Sequence, residues 1–217
     1  MMRLYSYFRS SAAYRLRIAL ALKGVSFETV PVHLLRNGGE QFSEAYRRLN
    51  PQCLVPVLEI AEGALGQSLA IIEWLEESYP EPPLLPKDRF LRARIRRFAL
   101  AIACDIHPLN NLRVLKKLRA DLGADDGKVN AWYRHWVEEG PGALEQMVAP
   151  EAADRGVCFG EMPSLADICL VPQMANARRY ACDTTAMPRL VAIDAALRLR
   201  PAFAAAAPER QADFVAS

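Results

Sequence analysis

Apolar positions change their period several times in the first third of the chain and settle into a helical one after it. Arg3–Phe8 is short and rich in aromatics, which predicts a strand. Ser10 and Ser11 precede Ala12–Lys23, where Leu16, Ala19, Leu20 and Lys23 recur at helical spacing, and Gly24 follows as a stop. Phe27–Val32 is β-rich and predicts a second strand. A loop with Gly38 and Gly39 leads to a weaker helical stretch, Gln41–Leu49. Asn50-Pro51 marks a turn, Val57–Ile60 a third strand, Glu62-Gly63 another turn and Ala64–Leu65 a very short fourth strand. Ser68–Ser78 places Leu69, Ile72 and Leu75 on one side of a helix.

The order is β-α-β, a helical linker, then β-β-α. A strand–helix–strand unit implies parallel pairing through a right-handed crossover, and the terminal hairpin adds antiparallel strands. The expected fold is a small mixed sheet with helices on both faces, the α/β thioredoxin-like arrangement, over residues 1–82. Pro80, Pro82, Pro83 and Pro86 then read as a stiff linker. Beyond it the strand signals vanish. Asp88–Ile106, Leu109–Leu122, Lys128–Val148, Ser164–Tyr180 and Pro188–Leu199 all carry helical periodicity, so residues 88–217 are expected to form an all-helical second domain. Its last stretch, Ala202–Ser217, is Ala-rich and reads as partly frayed. Ser164-Leu165-Ala166-Asp167 before an apolar run is a capping-box pattern, a folding device and not a chemical site.

Composition narrows the function classes. With 217 residues, 52% hydrophobic and 24% charged, the mix is ordinary for a globular chain. Apolar runs such as Phe98–Cys104 are far shorter than the roughly 20 residues that cross a bilayer, and the first residues lack a signal-peptide core. A cytoplasmic protein without membrane spans is expected. The net charge of +2 is too balanced to favour nucleic acid as a partner. The odd, scattered set Cys53, Cys104, Cys158, Cys169 and Cys182 argues against disulfides and structural zinc, and the three histidines have no metal-ligand spacing. No metal is expected.

One region can carry chemistry. A strand ending at Phe8-Arg9-Ser10-Ser11 and feeding a helix aims hydroxyls at a helix N-terminus, where unpaired N–H groups and the dipole stabilise an anion. That anion could be a thiolate, whose pKa must fall to be useful near neutrality. On spacing alone, the simpler reading is that a serine caps the helix. Two features shift the balance. Val55-Pro56 before a strand suits a cis bond, leaving the backbone of Val55 to pair with an extended peptide. Gln67-Ser68 opens another helix and forms a carboxylate cradle. Together they could hold a small peptide with its carboxylate at Ser68, its backbone at Val55 and its thiol near Ser10.

The runs Tyr5-Ser6-Tyr7-Phe8-Arg9-Ser10-Ser11 and Arg15-Leu16-Arg17-Ile18-Ala19-Leu20 strongly resemble the N-terminal signature of zeta-class glutathione transferases. So do Leu49-Asn50-Pro51, Val55-Pro56, Gln67-Ser68-Leu69-Ala70-Ile71-Ile72-Glu73 and Leu170-Val171-Pro172-Gln173. The resemblance covers nearly the whole chain. It implies the two-domain glutathione transferase architecture and a glutathione site. Ser10 and Ser11 would flank the sulfur, Gln67 and Ser68 would hold the γ-glutamyl carboxylate, and Val55, beside Pro56, would pair with the cysteinyl backbone. One departure matters: members of the family often have Ser-Ser-Cys where this chain has Ser10-Ser11-Ala12, so no protein thiol acts there.

The enzymes of that family are maleylacetoacetate isomerases and the related maleylpyruvate isomerases. The resemblance implies a glutathione-dependent cis–trans isomerase of tyrosine and phenylalanine breakdown, with maleylpyruvate isomerase or a general glutathione transferase as alternatives. A non-catalytic module of the same fold is the alternative from another class, and the retained Ser10, Gln67 and Ser68 argue against it. Ala175-Asn176-Ala177-Arg178-Arg179-Tyr180 resembles the family's substrate-carboxylate segment with Arg179 at the matching position, which implies Arg179 as a ligand for a dicarboxylate substrate, and Arg9 is a second candidate, since an arginine fork matches a carboxylate bidentately. His107, before Pro108, is either a residue at a helix break that bonds backbone or a contact to substrate or glutathione. The resemblance also implies a homodimer.

Overall fold

The structure, a computed structural model, describes residues 1–215. In chain order the elements are β1 (Met2–Ser6), α1 (Ser11–Lys23), β2 (Phe27–Pro31), α2 (Glu44–Leu49), β3 (Val57–Ile60), β4 (Gly63–Gly66) and α3 (Ser68–Ser78). There follow α4 (Arg89–Leu100), α5 (Leu112–Leu122), α6 (Asp126–Met147), α7 (Ala152–Arg155), α8 (Leu165–Arg179), α9 (Pro188–Arg198) and α10 (Pro201–Ala206). The chain divides into two compact units: Met1–Pro83 with the segment from Arg200 onward, and Leu84–Leu199.

The first unit is built on a four-stranded sheet in the order β2-β1-β3-β4. β1 runs parallel to β2 and antiparallel to β3, and β3 runs antiparallel to β4, the mixed thioredoxin-like sheet that the β-α-β and β-β-α order requires. Side chains of a strand alternate between its faces. On one face Tyr5 and Val57 pack with Tyr46 of α2, Val32 and Phe8. Ser6, one residue along β1, meets Arg17 of α1 instead. The linker stretch expected to be helical over Gln41–Leu49 is split, because Ser43 caps a short α2 by accepting from Tyr46 N–H, and a 3-10 turn, Glu40–Phe42, precedes it.

α1 starts at the Ser10 cap and stops at Gly24, whose φ of 64° suits a residue without a Cβ. Its flanks are buried almost all round, with Arg15 and Arg17 as buried as Leu16 and Leu20. α3 packs on α1, and so does part of the segment after Arg200, which is expected from the sequence to belong to the second domain as a partly frayed end. Instead α10 packs along α1 within the first unit, Phe203 is fully buried, and Arg17 Nε donates to Ala206 O at 2.9 Å. A buried guanidinium needs acceptors, and this segment supplies one. Residues 216 and 217 of the expected frayed stretch lie outside the described residues.

The second unit is helical, as the periodicity requires. α8 is its most buried helix. The capping box is present: Ser164 Oγ accepts from Ala166 N–H, and Asp167 Oδ2 accepts from Ser164 N–H at 2.7 Å and from its hydroxyl at 2.9 Å. Cys158 N–H donates to the other Asp167 oxygen at 2.7 Å, tying an upstream loop to the helix start. The long helix expected over Asp88–Ile106 is regular only to Leu100. It widens into a π-helical turn, Ala101–Ile106, and ends in a 3-10 turn, His107–Asn110. Pro108 has no N–H to continue an α-helical ladder, and its ring crowds the carbonyl four residues back. Gly140 of α6 packs against Ile106 so closely that a Cβ there would collide with it.

Candidate active site

The sheet register gathers three stations at one end. Tyr5 of β1 lies opposite Val57 of β3, and Val57 lies opposite Gly66 of β4. Beyond Tyr5 the chain leaves β1 for α1, just before Val57 it passes through Val55-Pro56, and beyond Gly66 it enters α3. The α1 entry, the proline loop and the α3 entry therefore lie side by side. Adjacent strands sit roughly 4.8 Å apart, so the outer two stations are about 10 Å apart, the length of an extended tripeptide.

At the first station a tight turn joins β1 to α1, closed by Ser10 N–H to Tyr7 O at 2.9 Å. Ser10 Oγ accepts from Ala13 N–H at 3.2 Å, so it is the cap, and its hydroxyl hydrogen remains to donate elsewhere. Ser11 is buried at the first helical position and Ala12 is half-buried. Arg9 is half-buried, with its guanidinium 5.0 Å from the centre of the Phe8 ring and 3.4 Å from Val215 O.

At the second station the Val55-Pro56 peptide is cis, as expected. Among the described residues no hydrogen bond engages the backbone N–H or C=O of Val55. The loop leading to it is fixed from below: the Tyr46 hydroxyl and the Asn50 side-chain amide both donate to Leu54 O, at 2.7 and 2.8 Å, and Asn50 Oδ1 accepts from Gln52 N–H. Burial pushes the Tyr46 phenol well above its ordinary pKa, so it stays a donor. At the third station Gln67 adopts a left-handed φ of 67° just before α3, and its side-chain nitrogen donates to Gln52 Oε1 at 3.0 Å. Ser68 is buried at the first position of α3. The N-termini of α1 and α3 thus open toward the same end of the sheet, and each offers unpaired N–H groups to an anion.

His107 and Arg179 belong to the helical unit. His107 is half-buried at the start of the 3-10 turn that ends the broken helix. That turn is held to α6 by Trp132 Nε1–H to Leu109 O at 2.9 Å and by the Asn110 amide to Tyr133 O at 3.3 Å. Arg179 is exposed at the last position of α8, 5.3 Å from the centre of the Tyr180 ring, while its neighbour Arg178 pairs with the buried Asp194. Sequence reasoning missed Arg17 and Asp213, which hydrogen-bond the C=O and the N–H of Phe8 in the turn between β1 and α1. The available signal was a pair of arginines, Arg15 and Arg17, spaced inside an otherwise apolar helix.

A thioredoxin-like sheet with a cis-proline loop and two helix N-termini at one end, accompanied by a helical unit, is the plan of a glutathione transferase. A family profile described as "Glutathione S-transferase, N-terminal domain" matches residues 9–78. The maleylacetoacetate isomerase of Pseudomonas aeruginosa is 48% identical over 217 residues, covering 100% of both chains. A holo structure of maleylpyruvate isomerase, described as a bacterial zeta-class glutathione transferase, is 46% identical with a TM-score of 0.94, covering 98% of this chain and 100% of that one. A maleylacetoacetate isomerase from Methylobacterium extorquens AM1 with bound malonate and glutathione is 36% identical with a TM-score of 0.92, covering 99% and 100%. The chain belongs to the zeta-class glutathione transferases, the family of the maleylacetoacetate and maleylpyruvate isomerases.

Proposed function

We propose that this chain is a glutathione-dependent cis–trans isomerase that converts maleylacetoacetate to its trans isomer in aromatic amino-acid breakdown in the cytoplasm. The observation that supports the reading is the register Tyr5–Val57–Gly66, which brings the α1 entry with Ser10, the Val55 backbone and the α3 entry with Gln67 and Ser68 to one end of the sheet, about one tripeptide apart. The residues fit glutathione: Val55 offers an unengaged backbone pair, and two helix N-termini face one end. Gln67 and Ser68 hold its γ-glutamyl carboxylate, and Val55 and Pro56 hold its cysteinyl backbone.

When bound, glutathione supplies a thiolate nucleophile for reversible addition to the conjugated cis double bond. The chain's own residues do the rest. Ser10 or Ser11 donates a hydrogen bond where the sulfur's negative charge rests, and the α1 N-terminus adds its unpaired N–H groups. Arg9 and Arg179 bind substrate carboxylates, and His107 contributes a polar contact to substrate or cofactor. Ala12 leaves no protein thiol to compete with glutathione's own. The protein acts as a homodimer.

Maleylpyruvate is the second reading, favoured by the likeness to the maleylpyruvate isomerase structure. Both acids are short dianions conjugated to a carbonyl, so the same site serves either. The deciding experiment measures kcat/KM for maleylacetoacetate, maleylpyruvate and chlorodinitrobenzene with purified protein and glutathione. The reading expects one of the two acids to turn over far better than the neutral electrophile. A preference for chlorodinitrobenzene would leave a general transferase. Light scattering should give about twice the chain mass of 24.2 kDa, and a clean monomer would refute the dimer.

A further inference from the structure

We propose that Asp213 is a positioning residue, and that the strap carrying it, the segment after Arg200, fixes the turn from which Ser10 and Ser11 face the glutathione sulfur; this deepens the reading above and rests on it. The turn Tyr7–Ser10 closes through Ser10 N–H to Tyr7 O at 2.9 Å. A closed turn leaves its central peptide groups needing partners outside it. Both groups of Phe8 find one. Its N–H donates to Asp213 Oδ2 at 3.0 Å, and its C=O accepts from Arg17 Nη2 at 3.2 Å.

The second anchor leads back to the same segment. Arg17 also donates to Ser6 Oγ at 3.1 Å and, through Nε, to Ala206 O at 2.9 Å. Burial lowers the Arg17 pKa to about 10, opposed by Tyr14 and by Asp213 and Glu209, two carboxylates of the strap, so the guanidinium stays charged at neutral pH. Phe214 packs edge-on against Phe8 with ring centres 5.5 Å apart, and Arg9 reaches Val215 O. The strap has a defined course: the Gln211 side chain donates to Ala205 O and Ala207 O, and Phe214 N–H to Gln211 O closes the turn that presents Asp213. Hydrogen-bond donors to an anion work only when held within about 0.5 Å of the productive geometry. The turn is held on both sides, by Asp213 at Phe8 N–H and by Arg17 at Phe8 O.

The test compares Asp213→Ala, Asp213→Asn and Phe214→Ala in the full chain. Bound glutathione thiolate is followed by its ultraviolet absorbance across pH, and kcat, KM and melting temperature are measured beside it. Asp213→Ala should raise the apparent pKa of the bound thiol and lower kcat roughly tenfold, since displacement of about 1 Å costs up to a hundredfold. Asp213→Asn keeps an acceptor oxygen for Phe8 N–H and should recover most of the loss. Phe214→Ala, at a ring already 43% exposed, should shift the thiol pKa in the same direction by less. An unchanged thiol pKa and kcat in Asp213→Ala, even with a lower melting temperature, would make the strap a stability element only and overturn its positioning role. If the parent protein shows bound thiolate and the variants do not alter it, only the strap's role falls. If the parent shows no bound thiolate, the glutathione reading falls and takes the strap's role with it.

Discussion

Tyr180 stacks on Tyr133 with ring centres 3.6 Å apart and planes 12° apart, directly after the helix that ends in Arg179. Burial pushes the Tyr133 phenol well above its usual range, and the Arg179 guanidinium lies over the other ring. An arginine on an aromatic face keeps its planar fork available while losing little freedom on binding.

Arg179→Ala should therefore lower kcat/KM for the dianionic substrate about ten- to a hundredfold, the size of one charge-assisted hydrogen bond of roughly 1.5–3 kcal/mol. The loss on chlorodinitrobenzene should be much smaller, and Arg179→Lys should recover only part. Equal losses on both substrates would mean that Arg179 supports the fold and reads no carboxylate.

The two serines separate in two measurements. Ser10→Ala removes the oxygen that accepts from Ala13 N–H and should cost about 1 kcal/mol of stability in a thermal or denaturant melt. The serine that donates to the sulfur should cost roughly 10²–10³ in turnover when replaced by alanine. Parent turnover in both single variants and in the double variant would remove the serines from thiolate activation.

Gln67 sits at a left-handed φ of 67° beside Ser68. Glutathione at a hundred times its Kd should stabilise the parent by about 2.7 kcal/mol through mass action. Gln67→Ala should weaken that thermal shift at equal ligand. A parent melting temperature indifferent to millimolar glutathione would dispose of the site.

The end of α8 carries a stability prediction independent of activity. Ala181 adopts φ 49°, while its N–H donates to Arg178 O and the Cys182 N–H to Ala177 O, the bonding of a Schellman cap. Glycine suits that backbone better than alanine. Ala181→Gly should raise stability by about 1 kcal/mol, or roughly 2–4 °C in Tm for a chain of this size. An unchanged or lower Tm would contradict the strain assigned to Ala181.

Much of this molecule is legible in the sequence because the deciding interactions are local. Ser10 before α1, Gly24 after it and Ser164 three residues before Asp167 act within a few residues of where they stand, so the boundaries of α1 and the start of α8 follow from the chain itself. The parallel β1–β2 pair and the β3–β4 hairpin likewise follow from their connections, whereas the pairing of β1 with β3, distant in the chain, completes the order that brings Ser10, Val55, Gln67 and Ser68 to one end of a sheet. The π-helical turn before Pro108 is less legible: the proline announces a break, but how the preceding turn widens depends on the fit of Ile106 against Gly140. What only the tertiary structure decided is the surroundings of α1. Arg17 stands inside an otherwise apolar helix, but its acceptor Ala206 O comes from the segment after Arg200, and Asp213 is separated by 205 residues from the Phe8 amide that it accepts from. No local pattern encodes such a pairing, because a buried guanidinium and an open peptide group specify only that partners must come from somewhere. Packing of the whole chain determines where.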